Sequence, residues 1–262
     1  WRVTIWEAVL LGFVQGATEF LPVSSSGHLV IAQTLMGIDM AGVVFEVAVH
    51  VATLVSILWV YRERVLALVS GIFAKDRKTY EYVGLLMVAT LPAGLAGVFA
   101  KDWIEGLFEN PMAPGIALLV TGVVLWSSRG PIERAALARP GWTAALAIGV
   151  AQAFALVPGI SRSGSTVVVA LWLGVASEEA AAFSFLMAIP AIAGAAVLQF
   201  GELGAGGGPS SAALMAGGVT AAFTGVFAIK TFVAMLSKKS FYLFAPYCWV
   251  AGVGFLTFLW VR

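Results

Sequence analysis

The sequence predicts an all-α integral membrane protein organised as an inverted-topology repeat, with six spanning helices and two re-entrant helix–loop–helix hairpins. Three observations lead there: the composition, long apolar runs without two-residue alternation, and two matched polar breaks inside those runs. Of the 262 residues, 60% are hydrophobic and 11% charged, and mean hydropathy is +0.96. A soluble domain carries about 25% charged residues. The apolar runs have the length of spanning helices and lack the alternation of barrel strands. A net charge of +1 gives no bulk attraction to nucleic acid. The single cysteine, Cys248, has no partner for an internal disulfide and sits in an apolar run, as a buried, inert thiol would. No cleavable signal peptide is indicated, because the first apolar stretch holds Glu7, Gln15 and Glu19 and lacks the combination of a basic start and a cleavage site.

The first broken segment covers residues 5–37: it is apolar to 22, interrupted by Pro22 and Ser24–Gly27, and apolar again from 28, with His28 starting the returning helix. Neither half offers the roughly 20 clean apolar residues of a spanning helix, so a hairpin is expected. Spans are expected over 43–61, 82–100 (kinked at Pro92) and 111–128. Between them lie a 62–81 loop with an amphipathic portion and an acidic connector, 101–110, whose aromatics suit an interface. The second broken segment, 142–176, is interrupted at P-G-I-S-R-S-G, with Gly164 opening a helix to Ala176. Spans over 180–200, 212–229 and 241–261 follow, with a Gly-rich loop at 201–211 that contains no Lys or Arg. The whole chain, 1–262, is one membrane domain, with repeat one about 1–128 and repeat two about 142–262.

Charge tests this layout. If both hairpins return to the side they entered, the loops 62–81, 129–141 and 230–240 share one side and hold eleven of the fifteen Lys and Arg residues. Only Arg2, Lys101 and Arg262 fall opposite, with Arg162 inside the second break. That asymmetry assigns the basic loops to the cytoplasm. A single crossing by the second segment would move Lys238 and Lys239 outside and weaken the pattern. Re-entrant backbone at membrane depth has to be buried in protein or line an aqueous cavity, and broken helices of inverted repeats commonly build polar sites there.

The two breaks correspond. A shift of 137 positions (152 − 15) superimposes Gln15 on Gln152, Ser24 on Ser161, Ser26 on Ser163 and Gly27 on Gly164. Arg162 is the least expected residue, since a guanidinium in the bilayer cannot deprotonate and needs a partner. It either locks the hairpins together through Glu19 or clamps an anion. Ser161, Ser163, Gly164 and Thr166 around it favour the clamp, because a helix start with free N–H groups and hydroxyls suits phosphate. Glu19 offers a general base or a ligand for a divalent cation, Mg or Ca. Ser24 and Ser26, with serine counterparts in the second break, fit helix caps or phosphate donors, and Gly27 belongs to the same turn. Ser25 aligns with Arg162 instead, which makes it the better candidate for a nucleophile, with Glu19 or His28 activating it, the alternative being direct attack by water. Glu46 and His50, four apart on one helix face, either line the same cavity or pair with each other. Gln15 and Gln152 are supporting residues. No P-loop and no Cys/His zinc cluster is present.

The stretches S-S-S-G-H (24–28) and P-G-I-S-R-S-G-S-T (158–166) resemble the signatures of the undecaprenyl-diphosphate phosphatases of the bacitracin-resistance type. That family carries [E/Q]-x-x-x-E before P-V-S-S-[ST]-G-H, and later P-G-x-S-R-S-G-x-T, met here by Gln15–Glu19, Pro22–His28 and Pro158–Thr166. F-E-V at 45–47 and F-S-F at 183–185 also resemble family positions, and Gln15 stands where Glu is frequent. The resemblance implies an integral membrane phosphatase that releases the terminal phosphate of undecaprenyl diphosphate and so confers bacitracin resistance. It further implies inverted repeats and a site open to the outer face of a bacterial cytoplasmic (inner) membrane. Glu19, Ser25, His28 and Arg162 match its active-site positions, with Ser161, Ser163 and Thr166 nearby. The partners expected are a polyprenyl diphosphate and membrane lipids, with a homodimer left open and no organic cofactor. The competing class is a polyprenyl-phosphate transporter or flippase, alone or in addition. The histidine-nucleophile lipid phosphatases, with S-R-x5-H, are excluded because Val168 stands where their histidine would.

Overall fold

A computed structural model describes residues 3–36, 43–199 and 209–261. Arg2, Arg262 and the loop 201–208 lie outside the described residues. Those described form thirteen α-helices and one isolated bridge, Leu137 to Val175. The first half contains α1 (Ile5–Phe20), α2 (Ser25–Met36), α3 (Val43–Val60), α4 (Arg62–Phe73), α5 (Arg77–Phe99), α6 (Lys101–Glu109), α7 (Met112–Ser127) and α8 (Pro131–Arg134). The second contains α9 (Trp142–Phe154), α10 (Arg162–Trp172), α11 (Ser177–Gln199), α12 (Ser211–Ser237) and α13 (Phe244–Val261), the last preceded by a 3-10 turn at Phe241–Leu243. Among the described residues, five helical stretches are long and apolar enough to cross a membrane, six when α3 and α4, bent 83° to each other, are counted together. The chain is thus a multi-pass helical membrane protein.

The broken segments consist of shorter pieces. At 1.5 Å per residue, α1 spans about 24 Å, α2 about 18 Å, α9 about 20 Å and α10 about 17 Å, all short of a hydrocarbon core of about 30 Å. A capping box of Thr4 and Glu7 starts α1. This helix runs along α12 through small residues spaced by four. A Cβ added to Gly12 would stand 2.3 Å from the Gly217 carbonyl oxygen, and one added to Gly16 would stand 2.3 Å from that of Ala221. Lipid tails supply no hydrophobic drive between helices, so backbone contact of this kind is what holds such pairs. Phe20, ending α1, reaches Gly225, about halfway along α12. The second segment repeats the arrangement: a Cβ on Gly149 of α9 would stand 2.5 Å from the Ala89 carbonyl oxygen, near the middle of α5. Both segments therefore pack against the middle of a long helix. Buried rings of Phe20, Phe185, Phe232 and Phe241 pack edge to face beneath them.

The basic connectors meet each other. Arg139 donates to Glu81 at 3.3 Å, and Lys239 pairs with Glu133. Arg64 donates to Glu179 at 2.5 Å, and the Tyr82 hydroxyl donates to the other oxygen of Glu179 at 2.8 Å. The α9–α10 segment begins and ends beside the same connector, because the Gly174 carbonyl accepts from the N–H groups of Ala136 and Leu137 at 2.9 and 2.8 Å.

Several boundaries differ from expectation. The returning helix of the first hairpin starts at Ser25 rather than His28, since Ser24 caps it. The α10 helix starts at Arg162 rather than Gly164 and ends at Trp172, because Ser161 caps it and Gly174 turns back at φ +83°. The 62–81 loop is largely helical, with Asp76 capping α5 ahead of the expected span. The 101–110 connector is helix α6. Helix α12 continues to Ser237, which leaves Lys230 inside it and exposed.

Candidate active site

The tips of the two broken segments face each other, joined by their own backbones. Ser24 adopts φ 70°, a left-handed conformation unusual for a residue with a side chain. Its hydroxyl accepts from Gly27 N at 3.3 Å and from Gly159 N of the opposite tip at 3.1 Å. Its carbonyl accepts from the N–H and Nδ1 of His28 at 3.2 and 2.8 Å. These bonds offset the strained turn. Gly159, at φ +99°, has no room for a side chain, since a Cβ would stand 2.5 Å from the Pro114 carbonyl oxygen. The Thr121 hydroxyl of α7 donates to Gly159 O at 2.7 Å and accepts from Ser161 N at 3.1 Å. Ser163 donates to Leu21 O at 3.3 Å, a second link between tips. Gly27 is equally confined, as its Cβ would lie 2.9 Å from the Gly159 Cα.

Glu19 is the hub, with its side chain 7% exposed. Arg162 Nη2 donates to Oε1 at 2.6 Å, while Ser25 Oγ donates to Oε2 at 2.6 Å and Gln15 Nε2 donates to Oε2 at 3.1 Å. Nε2 of His50 stands 3.7 Å from the same Oε2. Arg162 is steadied by Nη1 donating to the Ser184 carbonyl at 3.4 Å. One carboxylate thus bridges the hydroxyl of one tip and the guanidinium of the other. Chemically, the set can withdraw a proton from Ser25 while a guanidinium stands beside it.

The remaining candidates divide. The ring nitrogens of His28 are bonded to Ser24 and Tyr247. A carbonyl can only accept, so His28 Nδ1 carries its proton towards Ser24 O. In the neutral ring, Nε2 then accepts from the Tyr247 hydroxyl at 2.8 Å. The two rings stack at 5.7 Å and 9°. Ser161 caps α10 by accepting from Gly164 N at 3.1 Å, and Ser24 and Ser26 lie 3.3 Å apart, as do Ser161 and Ser163. The Thr166 hydroxyl is committed to Arg162 O at 2.8 Å and Ser184 Oγ at 2.6 Å. For Glu46 and His50, His50 Nδ1 donates to the Glu46 carbonyl at 2.8 Å, and Glu46 Oε1 accepts from Gln33 at 3.3 Å. Gln152 donates to Ala89 O at 3.4 Å, pinning α9 to α5. Tyr247, Ser184 and Thr121 were not singled out in the sequence. Each lies far along the chain from the motif it supports and carries no local signal, apart from the place of Ser184 within F-S-F.

Among the described residues, no three His, Cys, Asp or Glu side chains gather as a metal-ligand set. Glu19 is the carboxylate at the tips, and both its oxygens are already engaged by Arg162 and Ser25.

Fold and site together define a multi-pass helical membrane protein in which two broken segments join a carboxylate, a serine and an arginine in the bundle interior. A model of the family described as bacitracin resistance protein BacA matches residues 8–254, and the chain belongs to that family. An undecaprenyl-diphosphatase of Desulfatibacillum aliphaticivorans is 41% identical, covering 94% of this chain and 95% of the relative. One from Alkaliphilus metalliredigens (strain QYMF) is 39% identical over 95% of this chain and 97% of its own. One from Syntrophotalea carbinolica (strain DSM 2380 / NBRC 103641 / GraBd1) is 41% identical over 94% and 95%.

Proposed function

We propose that this chain hydrolyses undecaprenyl diphosphate to undecaprenyl phosphate and inorganic phosphate, as the names of its relatives say of them. The observation that carries the mechanism is Glu19, 2.6 Å from both the Ser25 hydroxyl and the Arg162 guanidinium. Ser25 Oγ attacks the terminal phosphorus in line and gives its proton to Glu19. The P–O anhydride bond breaks, and undecaprenyl phosphate leaves. Water then cleaves the phosphoserine and releases phosphate. Arg162, at the positive start of α10, turns its fork from Glu19 to the equatorial oxygens and stabilises their charge. Were a divalent cation, Mg or Ca, to accompany the substrate's phosphates, Glu19 would be the residue to hold it once Arg162 has turned away, and the ion would supply charge neutralisation.

The membrane placement belongs to the same proposal. The segments 62–81, 129–141 and 230–240 face the cytoplasm, and their mutual ion pairs support a common side. The return of α9–α10 to the connector it left supports re-entry. Gly12 and Gly149, which superimpose under the 137-residue shift, make equivalent backbone crossings, and these support an inverted repeat. The site opens to the outer face of the bacterial cytoplasmic membrane.

Purified protein in detergent, which has no second leaflet, tests the reaction. Phosphate release from undecaprenyl diphosphate is expected, with a phosphoserine trapped at Ser25 on acid quench. The Ser25→Ala variant is expected to fall to background. Full activity in that variant would transfer the attack to water.

A further inference from the structure

A cavity of about 590 Å³ opens between α7 and the second broken segment, separate from the hydrogen-bonded centre at Glu19. Its walls come from Ile116 and Val120 of α7, Ala151 and Phe154 of α9, and Ser165 and Val169 of α10. One end is the hairpin tip itself, where Val157 and Ile160 line it, and Trp172 lines it along α10. Residues 165, 169 and 172 form one stripe of that helix, and Arg162, three positions before Ser165, heads the stripe. Ten residues at 1.5 Å give about 15 Å of helix from Arg162 to Trp172.

We infer that this groove is the seat of the substrate's polyprenyl tail, an inference that rests on the lipid-diphosphate reading above. Three features select a hydrocarbon chain joined to an anion, rather than an ordinary acyl chain. The groove is continuous with the tip that carries Ser161 and Arg162. Its lining offers the Ser165 hydroxyl and the Asn110 amide as its polar side chains among aliphatic and aromatic groups. The cationic helix start lies at its head, so diphosphate and tail are read by consecutive turns of a single helix. Tail binding then acts on the same α10 that carries Arg162, so chain length acts on the site through that helix. A short chain leaves the Val169–Trp172 part unfilled and forgoes the packing contacts made there.

Filling the groove tests this. Ala151→Trp and Val120→Trp are assayed in detergent against undecaprenyl diphosphate and a short-chain prenyl diphosphate, reading kcat/KM for each. The preference for the long chain is expected to fall about tenfold in both variants, which is a change of about 1.4 kcal/mol. A photoreactive benzophenone side chain at position 120 of the otherwise unchanged protein gives a measurement that does not depend on how the tryptophan variants fold. It is expected to capture radiolabelled polyprenyl diphosphate, with competition by unlabelled polyprenyl diphosphate but not by phospholipid. An unchanged chain-length preference, or capture competed equally by phospholipid, overturns the inference and makes the groove a seat for bulk lipid. Wild-type protein that releases phosphate from neither substrate overturns the phosphatase reading itself.

Discussion

Replacing Arg162 with Lys keeps the positive charge and removes the fork. In the structure, Nη2 holds Glu19 at 2.6 Å while Nη1 reaches the Ser184 carbonyl at 3.4 Å, with the side chain 15% exposed. An ammonium is a point charge and cannot hold the two acceptors in that planar geometry. It can satisfy Glu19, so the buried carboxylate is not left unpaired, and the loss of about 3–5 kcal/mol that follows from deleting one partner of a buried pair is avoided. Folding should therefore survive. Catalysis should not. A preorganised donor aimed at developing phosphoryl charge contributes about 2.7–4 kcal/mol, so kcat should fall about 10²–10³-fold. The assay is phosphate release from undecaprenyl diphosphate in detergent, alongside a thermal melt of the same samples. An Arg162→Lys variant within about threefold of wild type would show that charge alone suffices, and the bidentate clamp would be wrong; threefold corresponds to only about 0.65 kcal/mol.

The other predictions concern the scaffold. Gly12→Ala inserts a Cβ 2.3 Å from the Gly217 carbonyl oxygen and should cost about 1–3 kcal/mol in thermal unfolding. Gly94→Ala, with open space at its Cβ, should be neutral or stabilising, and equal melting of the two would refute the crossing of α1 and α12. Asp76 caps α5 by accepting from the Thr79 hydroxyl and N–H, both at 2.8 Å, and these bonds hold its carboxyl below the usual range. A depressed carboxylate contributes its stability above the unfolded-state pKa and loses it as pH falls through the lower folded value. The cap should therefore be intact at neutral pH and release only in acid. Asp76→Ala should accelerate trypsin cleavage at Lys75, Arg77 and Lys78 severalfold at about pH 8, and an unchanged cleavage rate would refute the capping role.

How far the sequence reached differs between elements. The breaks at 22–28 and 158–164 were legible because polar residues and glycines inside apolar runs have one economical explanation at membrane depth: buried backbone that builds a site. The position of Arg162 demanded an anionic partner, and Glu19 was the nearest candidate in character. The helix starts were misplaced by two or three residues because Ser24 and Ser161 take the capping role. Capping depends on where a hydroxyl meets an amide, not on composition.

Sequence alone determined the membrane class, the spacing of the breaks and the residue types at their tips, because hydropathy and periodicity are local properties of the chain. Tertiary structure decided which side chain reaches Ser25. His28 sits three residues from Ser25, yet its ring is committed to Ser24 and Tyr247, whereas Glu19, six residues away, makes the contact. It also decided that His50 joins Glu19 while Glu46 turns to Gln33, and that Thr121 and Ser184 brace the second tip. Contacts made across tens to hundreds of residues depend on how helices cross, and those crossings are fixed by side-chain-free approaches such as Gly12 to Gly217 and Gly149 to Ala89. A one-dimensional pattern marks the small residues but carries no record of the partner they admit.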